Sequence, residues 1–210
     1  MTSHTRVTLH GCNSWSPSQT PVAIGDWQSP MRNRLTRESL RALMRDLARS
    51  AVNEEHYSVF LVGGGTAVLN GWRDSSIDVD LYSPRDGIFD DVQAIKERLQ
   101  LNIETVRPED FVPPLAGSED RHVLIETIGR VTFYHYDPYS QLFSKVVRGF
   151  ERDLIDARAF VVSTMVDAVR FRSLVWAIPD AAWSKYPRLS PGAVRQAVDD
   201  FLSAPSLKLK

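Results

Sequence analysis

The run Phe60-Leu-Val-Gly-Gly-Gly-Thr-Ala-Val-Leu-Asn-Gly-Trp-Arg-Asp-Ser-Ser-Ile-Asp-Val-Asp-Leu-Tyr82 constrains this chain more than any other stretch. Its apolar start reads as a buried strand over residues 58–62, the three glycines as a turn, residues 66–72 as a short helix, and Asp78 as the opening of a second strand. Positions i and i+2 of a strand share a face, so Asp78 and Asp80 point one way while Val79 points into a core. Two carboxylates aimed at one spot repel each other unless a cation stands between them, and hard oxygen donors suit Mg²⁺ or Mn²⁺. Gly63, Gly64 and Gly65 lack Cβ atoms and can bring backbone N–H groups close to a phosphate at the start of the helix. The stretch therefore reads as a phosphate cradle beside a metal-binding carboxylate pair.

Three rival readings use the same residues. A dinucleotide fingerprint wants a third glycine where Val68 stands and an acid at the end of the second strand, whereas Asp78 and Asp80 open it. A phosphate loop of the Gly-Lys-Ser/Thr kind is absent. The plainest alternative is a glycine-rich turn followed by two solvated aspartates.

The rest of the chain supplies a frame. Its 210 residues, 43% of them hydrophobic, suffice for one domain with a helical appendage. Residues 1–30 are rich in Ser, Thr, Pro and Gln and read as a flexible leader, which makes Met31 a candidate functional start. His4, His10 and Cys12 match no zinc spacing. The lone cysteine and the lack of an apolar run near about 18 residues lead us to expect a soluble, cytoplasmic protein with no membrane partner. The net charge of −1 argues against broad nucleic-acid affinity. Residues 1–137 hold 14 Lys+Arg against 19 Asp+Glu, while residues 138–210 hold 11 against 7, an asymmetry that would help a polyanion approach the C-terminal half.

Thr36 should cap a helix whose inward face carries Leu40, Leu43, Met44, Leu47 and Val52. A second helix is expected over residues 90–99, with Val92, Ile95 and Leu99 inward, then a strand over 101–106 in which Glu104 faces opposite to Ile103 and Thr105. Glu109 and Asp110, beside Pro108, read as turn residues. Residues 123–128 and 130–136 should form a hairpin about Gly129, after which Asp137-Pro138 opens a helix with Tyr139, Leu142, Phe143, Val146 and Phe150 inward and Lys145 and Arg148 free. Residues 151–161 continue helical with Asp153 and Asp156 on one face, followed by helices over 165–178 and 191–202 with Trp176 and Trp183 packed near their junction. The last residues, 207–210, should fray.

The glycine turn with its Asp-x-Asp strand, together with Tyr136 to Arg158, which includes Lys145 and the run Arg152-Asp-Leu-Ile-Asp156, resembles the polymerase-beta-like nucleotidyltransferase superfamily. Within it the chain is most similar to bacterial toxin-like groups of the AbiEii type. The resemblance covers roughly residues 55–160. It implies a minimal nucleotidyltransferase fold of the α/β (α+β) class: a mixed sheet flanked by helices in residues 31–137, with a small helical part, 138–210, completing the site. It implies two Mg²⁺ ions on Asp78, Asp80 and a third carboxylate, Glu104 or alternatively Glu126. It places Gly63, Gly64, Gly65, Thr66 and Ser76 on an NTP, Lys145 on its phosphates, and Asp153 as the group that orients the lysine. Relatives carry an arginine where Asp74 stands here, and Arg73 lies one place early. Transfer of a nucleoside monophosphate to a hydroxyl of a tRNA, another RNA, a protein or a small molecule is implied, with an antitoxin as partner in toxin-like relatives; an inert binding or regulatory module of the same fold is the alternative.

Overall fold

Strands β1 (Tyr57–Val62), β2 (Asp78–Tyr82), β3 (Asn102–Thr105), β4 (Val123–Ile128) and β5 (Val131–His135) form one sheet in the order β3-β2-β1-β5-β4. The computed structural model describes residues 32–51 and 55–204. The expectations for the 1–30 leader, His4, His10, Cys12, Met31, Val52 and residues 207–210 lie outside them. The sheet is mixed: β1 runs antiparallel to β2 and parallel to β5, β2 is parallel to β3, and β4 is antiparallel to β5. Helices flank it and further helices follow, which is the α/β arrangement of a minimal nucleotidyltransferase fold.

Strand alternation sorts the two faces. Val59, Leu61, Val79, Leu81, Ile103, Val131 and Phe133 all point to one side and are completely or almost completely buried. Against them pack α1 (Arg37–Ser50), through Leu40, Leu43, Met44 and Leu47, and α3 (Val92–Leu99), through Ile95 with Val92 and Leu99 at the margin. Thr36 caps α1 as expected: its hydroxyl accepts from the Ser39 N–H while the Ser39 hydroxyl accepts from the Thr36 N–H. Each fully buried aliphatic side chain here contributes about 1.5–3 kcal/mol of burial free energy, so this face is the anchor of the fold.

The other face carries two rows set by register. One runs Glu104, Asp80, Val62 across β3, β2 and β1; the next runs Tyr82, Phe60, Tyr134, Leu124 across β2, β1, β5 and β4. Beyond β5 come α4 (Pro138–Arg148), α5 (Glu151–Val162), α6 (Ala168–Trp176), α7 (Asp180–Trp183) and α8 (Pro191–Ser203), which bury a second core around Phe143, Phe160, Phe171 and Trp183. Trp72 joins the two parts, its ring edge-on to Phe160 with centroids 4.8 Å apart. Trp176 lies at the margin of the second core.

Two of the departures from expectation turn on a glycine. The helix after β1, α2 (Gly64–Leu69), begins at Gly64 rather than Thr66, because only Gly63 takes a left-handed φ, 71°, and Gly64 already continues the helix. Gly149, φ 67°, ends α4 in the same left-handed region, so α5 starts afresh and its N-cap Phe150 is 69% exposed instead of inward.

Candidate active site

Asp78 and Asp80 stand on the half-open face of β2, with Val79 fully buried between them. Because β3 is parallel to β2 and in register, Glu104 lies directly beside Asp80. Glu126, the alternative third carboxylate, is on β4 at the far edge, with β1 and β5 between it and β2. Sheet order therefore makes Glu104 the neighbour.

The glycines earn their places by close packing. A Cβ on Gly63 would come within 2.8 Å of an Asp80 carboxylate oxygen, and one on Gly64 within 2.3 Å of the Ser76 hydroxyl. That hydroxyl donates to Asp78 Oδ1 at 3.4 Å, and Ser76 is itself held by reciprocal backbone bonds to Leu35. Gly65 packs on Val79 and Leu61. Thr66 is completely buried and turned away from the site: its hydroxyl donates to the Leu61 carbonyl and lies 3.1 Å from His135 Nδ1. The Thr66 side chain does not line the cavity, and of the expected cradle Gly63 is the residue that does.

Opposite the carboxylates stands α4. Asp137 caps it by accepting from the N–H groups of Tyr139 and Ser140, and is fixed in turn by a two-pronged pair with Arg121, at 3.0 and 2.8 Å. The helix presents Gln141, Ser144, Lys145 and Arg148, at i, i+3, i+4 and i+7, to a cavity of about 190 Å³ whose other wall is Gly63, Asp78, Asp80 and Glu104. Gln141 locks the two walls together, accepting from the Gly63 N–H at 2.8 Å and donating to the Tyr136 carbonyl at 2.8 Å. Sequence reasoning overlooked Gln141 and Ser144, although their spacing from Lys145 and Arg148 puts all four on one helical stripe.

Lys145 is buried and already partnered: its Nζ lies 2.6 Å from Asp156 and 3.5 Å from Asp153. Asp153 is held more tightly by Arg148, at 2.8 Å. Asp156 is thus the closer partner of the lysine, and the expected Asp153 the farther one. Arg73 pairs with the same fully buried Asp156, its Nε 2.6 Å away, although its N–H is not aligned on the oxygen; its Nη2 also donates to the Arg152 carbonyl. Its part is to hold α5, not to line the cavity.

The two walls consequently differ in charge balance. Burial first, then Asp78 and Glu104, push the Asp80 carboxyl from 3.8 up to about 7, with Arg148 and Lys145 only partly opposing them. Among the described residues no three His, Cys, Asp or Glu side chains already converge to hold an ion by themselves. The donor set still fits Mg²⁺ or Mn²⁺, since such ions are commonly bound by one or two carboxylates completed by substrate phosphates and water. A cation beside Asp78 and Asp80 would relieve the crowding that pushes the Asp80 carboxyl up.

Comparison with curated proteins returned no match, and neither did comparison with solved structures. Among the described residues no helix is long and apolar enough to cross a membrane. A family model described as a nucleotidyltransferase of unknown function (DUF6036) matches residues 38–190, which include all five strands, Asp78, Asp80, Glu104 and Lys145. With that match over most of its length, the chain belongs to this nucleotidyltransferase family.

Proposed function

We propose that the protein is a metal-dependent nucleotidyltransferase that moves a nucleoside monophosphate from an NTP to an acceptor hydroxyl. The observation that carries this reading is the facing of Asp78, Asp80 and Glu104 with Lys145 and Arg148 across one cavity. In the reaction the acceptor oxygen bonds to the α-phosphorus, the bond to the β-phosphate oxygen breaks, and pyrophosphate leaves. Bound by Asp78 and Asp80, Mg²⁺ or Mn²⁺ would supply positive charge for the triphosphate and ease ionisation of the acceptor hydroxyl. Arg148, with its side chain 43% exposed, meets the phosphates, while Lys145, fixed by Asp156, adds positive potential from deeper in the wall. Glu104, exposed on the outer strand, is placed to receive the acceptor's proton. Gly63 keeps the space that Asp80 needs, and Ser76 steadies Asp78.

Incubating the protein with each α-³²P-labelled NTP, Mg²⁺ and a total cell extract tests this, with Asp78→Ala/Asp80→Ala alongside. Label reaching an RNA, protein or small-molecule band only with intact aspartates is the expected result and names the acceptor class. A toxin role, with an antitoxin partner, rests on the likeness of residues 136–158 to AbiEii-type proteins. Growth arrest on expression, relieved by Asp78→Ala, is its separate test.

A further inference from the structure

The carboxylate cavity opens beside a second one of about 270 Å³, and the two share Val62, Phe111, Gln141 and Ser144 in their walls. Their chemistry is opposite. The first is lined by three acids and two cations; the second is walled by Phe111, Val112, Pro113 and Tyr136, with Glu109 supplying its carboxylate. Helix α4 runs along both, giving Ser140, Gln141 and Ser144 to the apolar cavity and Lys145 and Arg148 to the charged one. At 1.5 Å per residue, Gln141 and Lys145 are about 6 Å apart along the axis, roughly the room that a sugar takes between a phosphate and a base. A ligand with a polyanionic head and a flat, weakly polar end matches this pair of cavities.

We propose that the second cavity is the nucleobase site of the NTP: the triphosphate lies between Asp80 and Arg148, and the base stacks against Phe111 with its edge toward the Tyr136 hydroxyl. This assignment rests on the nucleotidyl-transfer reading above. Phe111 is 49% exposed, so a ring face is open to a ligand, and it belongs to both cavities, as a stacking wall at their junction must. Burial, then Glu109, push the Tyr136 phenol up to about 12, so it remains a neutral O–H donor for a base acceptor throughout the physiological range. Gln141, with both ends of its amide engaged, is a stiff partition between base and phosphates.

Calorimetric titration of the full chain with Mg²⁺ plus each of the four NTPs, and with Mg²⁺ plus inorganic tripolyphosphate, tests the assignment. The wild-type chain should bind at least one NTP more than about tenfold more tightly than tripolyphosphate, because base stacking adds to the phosphate contacts. Phe111→Ala should weaken that NTP roughly 5- to 100-fold and leave tripolyphosphate within about twofold. Tyr136→Phe should alter the ranking among the four NTPs without touching tripolyphosphate. Tripolyphosphate bound as tightly as every NTP would overturn the base site while leaving the phosphate reading intact, and so would Phe111→Ala weakening both ligands alike or neither. Binding of no NTP and no tripolyphosphate would overturn both.

Discussion

The acids of the sheet and the acids of α5 serve the same site in opposite electrostatic states. Asp156 is completely buried yet lies 2.6 Å from both Lys145 and Arg73, and Asp153 is answered by Arg148 at 2.8 Å. Among the described residues Asp78 and Glu104 have only a hydroxyl and an amide as hydrogen-bond partners, from Ser76 and Asn102, and at Asp80 burial and the charges of Asp78 and Glu104 outweigh the opposing pull of Arg148 and Lys145 across the cavity. Matched charge holds α4 and α5 together; unmatched charge is left facing a cavity. The fold tolerates the second kind because the aliphatic core on the opposite face of the sheet fixes β2 and β3 regardless.

The widest separation between the two groups should appear in activity. Asp78→Ala/Asp80→Ala is expected to lower nucleotidyl transfer by on the order of 10³-fold or more with the circular dichroism spectrum unchanged, since relieving like charge opens no core cavity. Asp156→Ala should do the reverse in kind. Removing one member of a buried, matched set leaves Arg73 without its acid and Lys145 with Asp153 alone, 3.5 Å away, and should cost about 3–5 kcal/mol in denaturant unfolding; a loss below about 1 kcal/mol would break the comparison.

The unmatched site should also show itself in stability against pH, measured with a chelator present. The folded-state pKa of Asp80 is raised from 3.8 to about 7, so folding favours its protonated form. Its unfavourable contribution therefore develops as pH rises from about 4 to about 7 and is complete above that. Asp80→Asn should stabilise the protein by about 2–4 kcal/mol at pH 8 and by almost nothing near pH 4. His135, buried against Thr66 and Asn70, gives the opposite sign: burial pushes its pKa from 6.5 down to about 4. The folded state keeps it neutral while the unfolded chain takes up a proton, so this stability is lost as pH falls from 6.5 to about 4. His135→Gln should flatten that acid limb by about 2–3 kcal/mol, read as the change across the window and not as the absolute value. The smallest effect belongs to a matched pair in water: Arg172 and Asp199, 2.7 Å apart, are both well exposed. Arg172→Ala should move the denaturant midpoint less than any other substitution named here, even with its stacking over Trp176 lost.

What the sequence made legible follows the reach of local rules. Asp78 and Asp80 were readable because strand alternation needs no tertiary information, and Thr36 because a cap is satisfied within one turn. Glu104 was the candidate third carboxylate with Glu126 as its alternative, and what separates them in space is strand order, a long-range property. The ranking of Asp153 and Asp156 about Lys145 was out of reach for a related reason: spacing puts both on one face of α5, and only the packing of α5 on α4 makes Asp156 the closer of the two. Phe150 was misjudged because a helical stripe was carried through Gly149, where the chain turns left-handed. Gln141 has no motif, and its role exists only because Gly63 and Tyr136 arrive from elsewhere in the sheet.

The central claim is that the unmatched carboxylates of β2 are a cation site for a nucleotide. Titration of Mn²⁺ followed by electron paramagnetic resonance, with and without NTP, tests it most directly on the wild-type chain and on Asp78→Asn/Asp80→Asn. The account predicts Mn²⁺ binding by the wild type that tightens when NTP is added, and loss of that binding in the variant, which should fold at least as stably. Equal Mn²⁺ binding by both proteins, or none by the wild type even with NTP present, would contradict it.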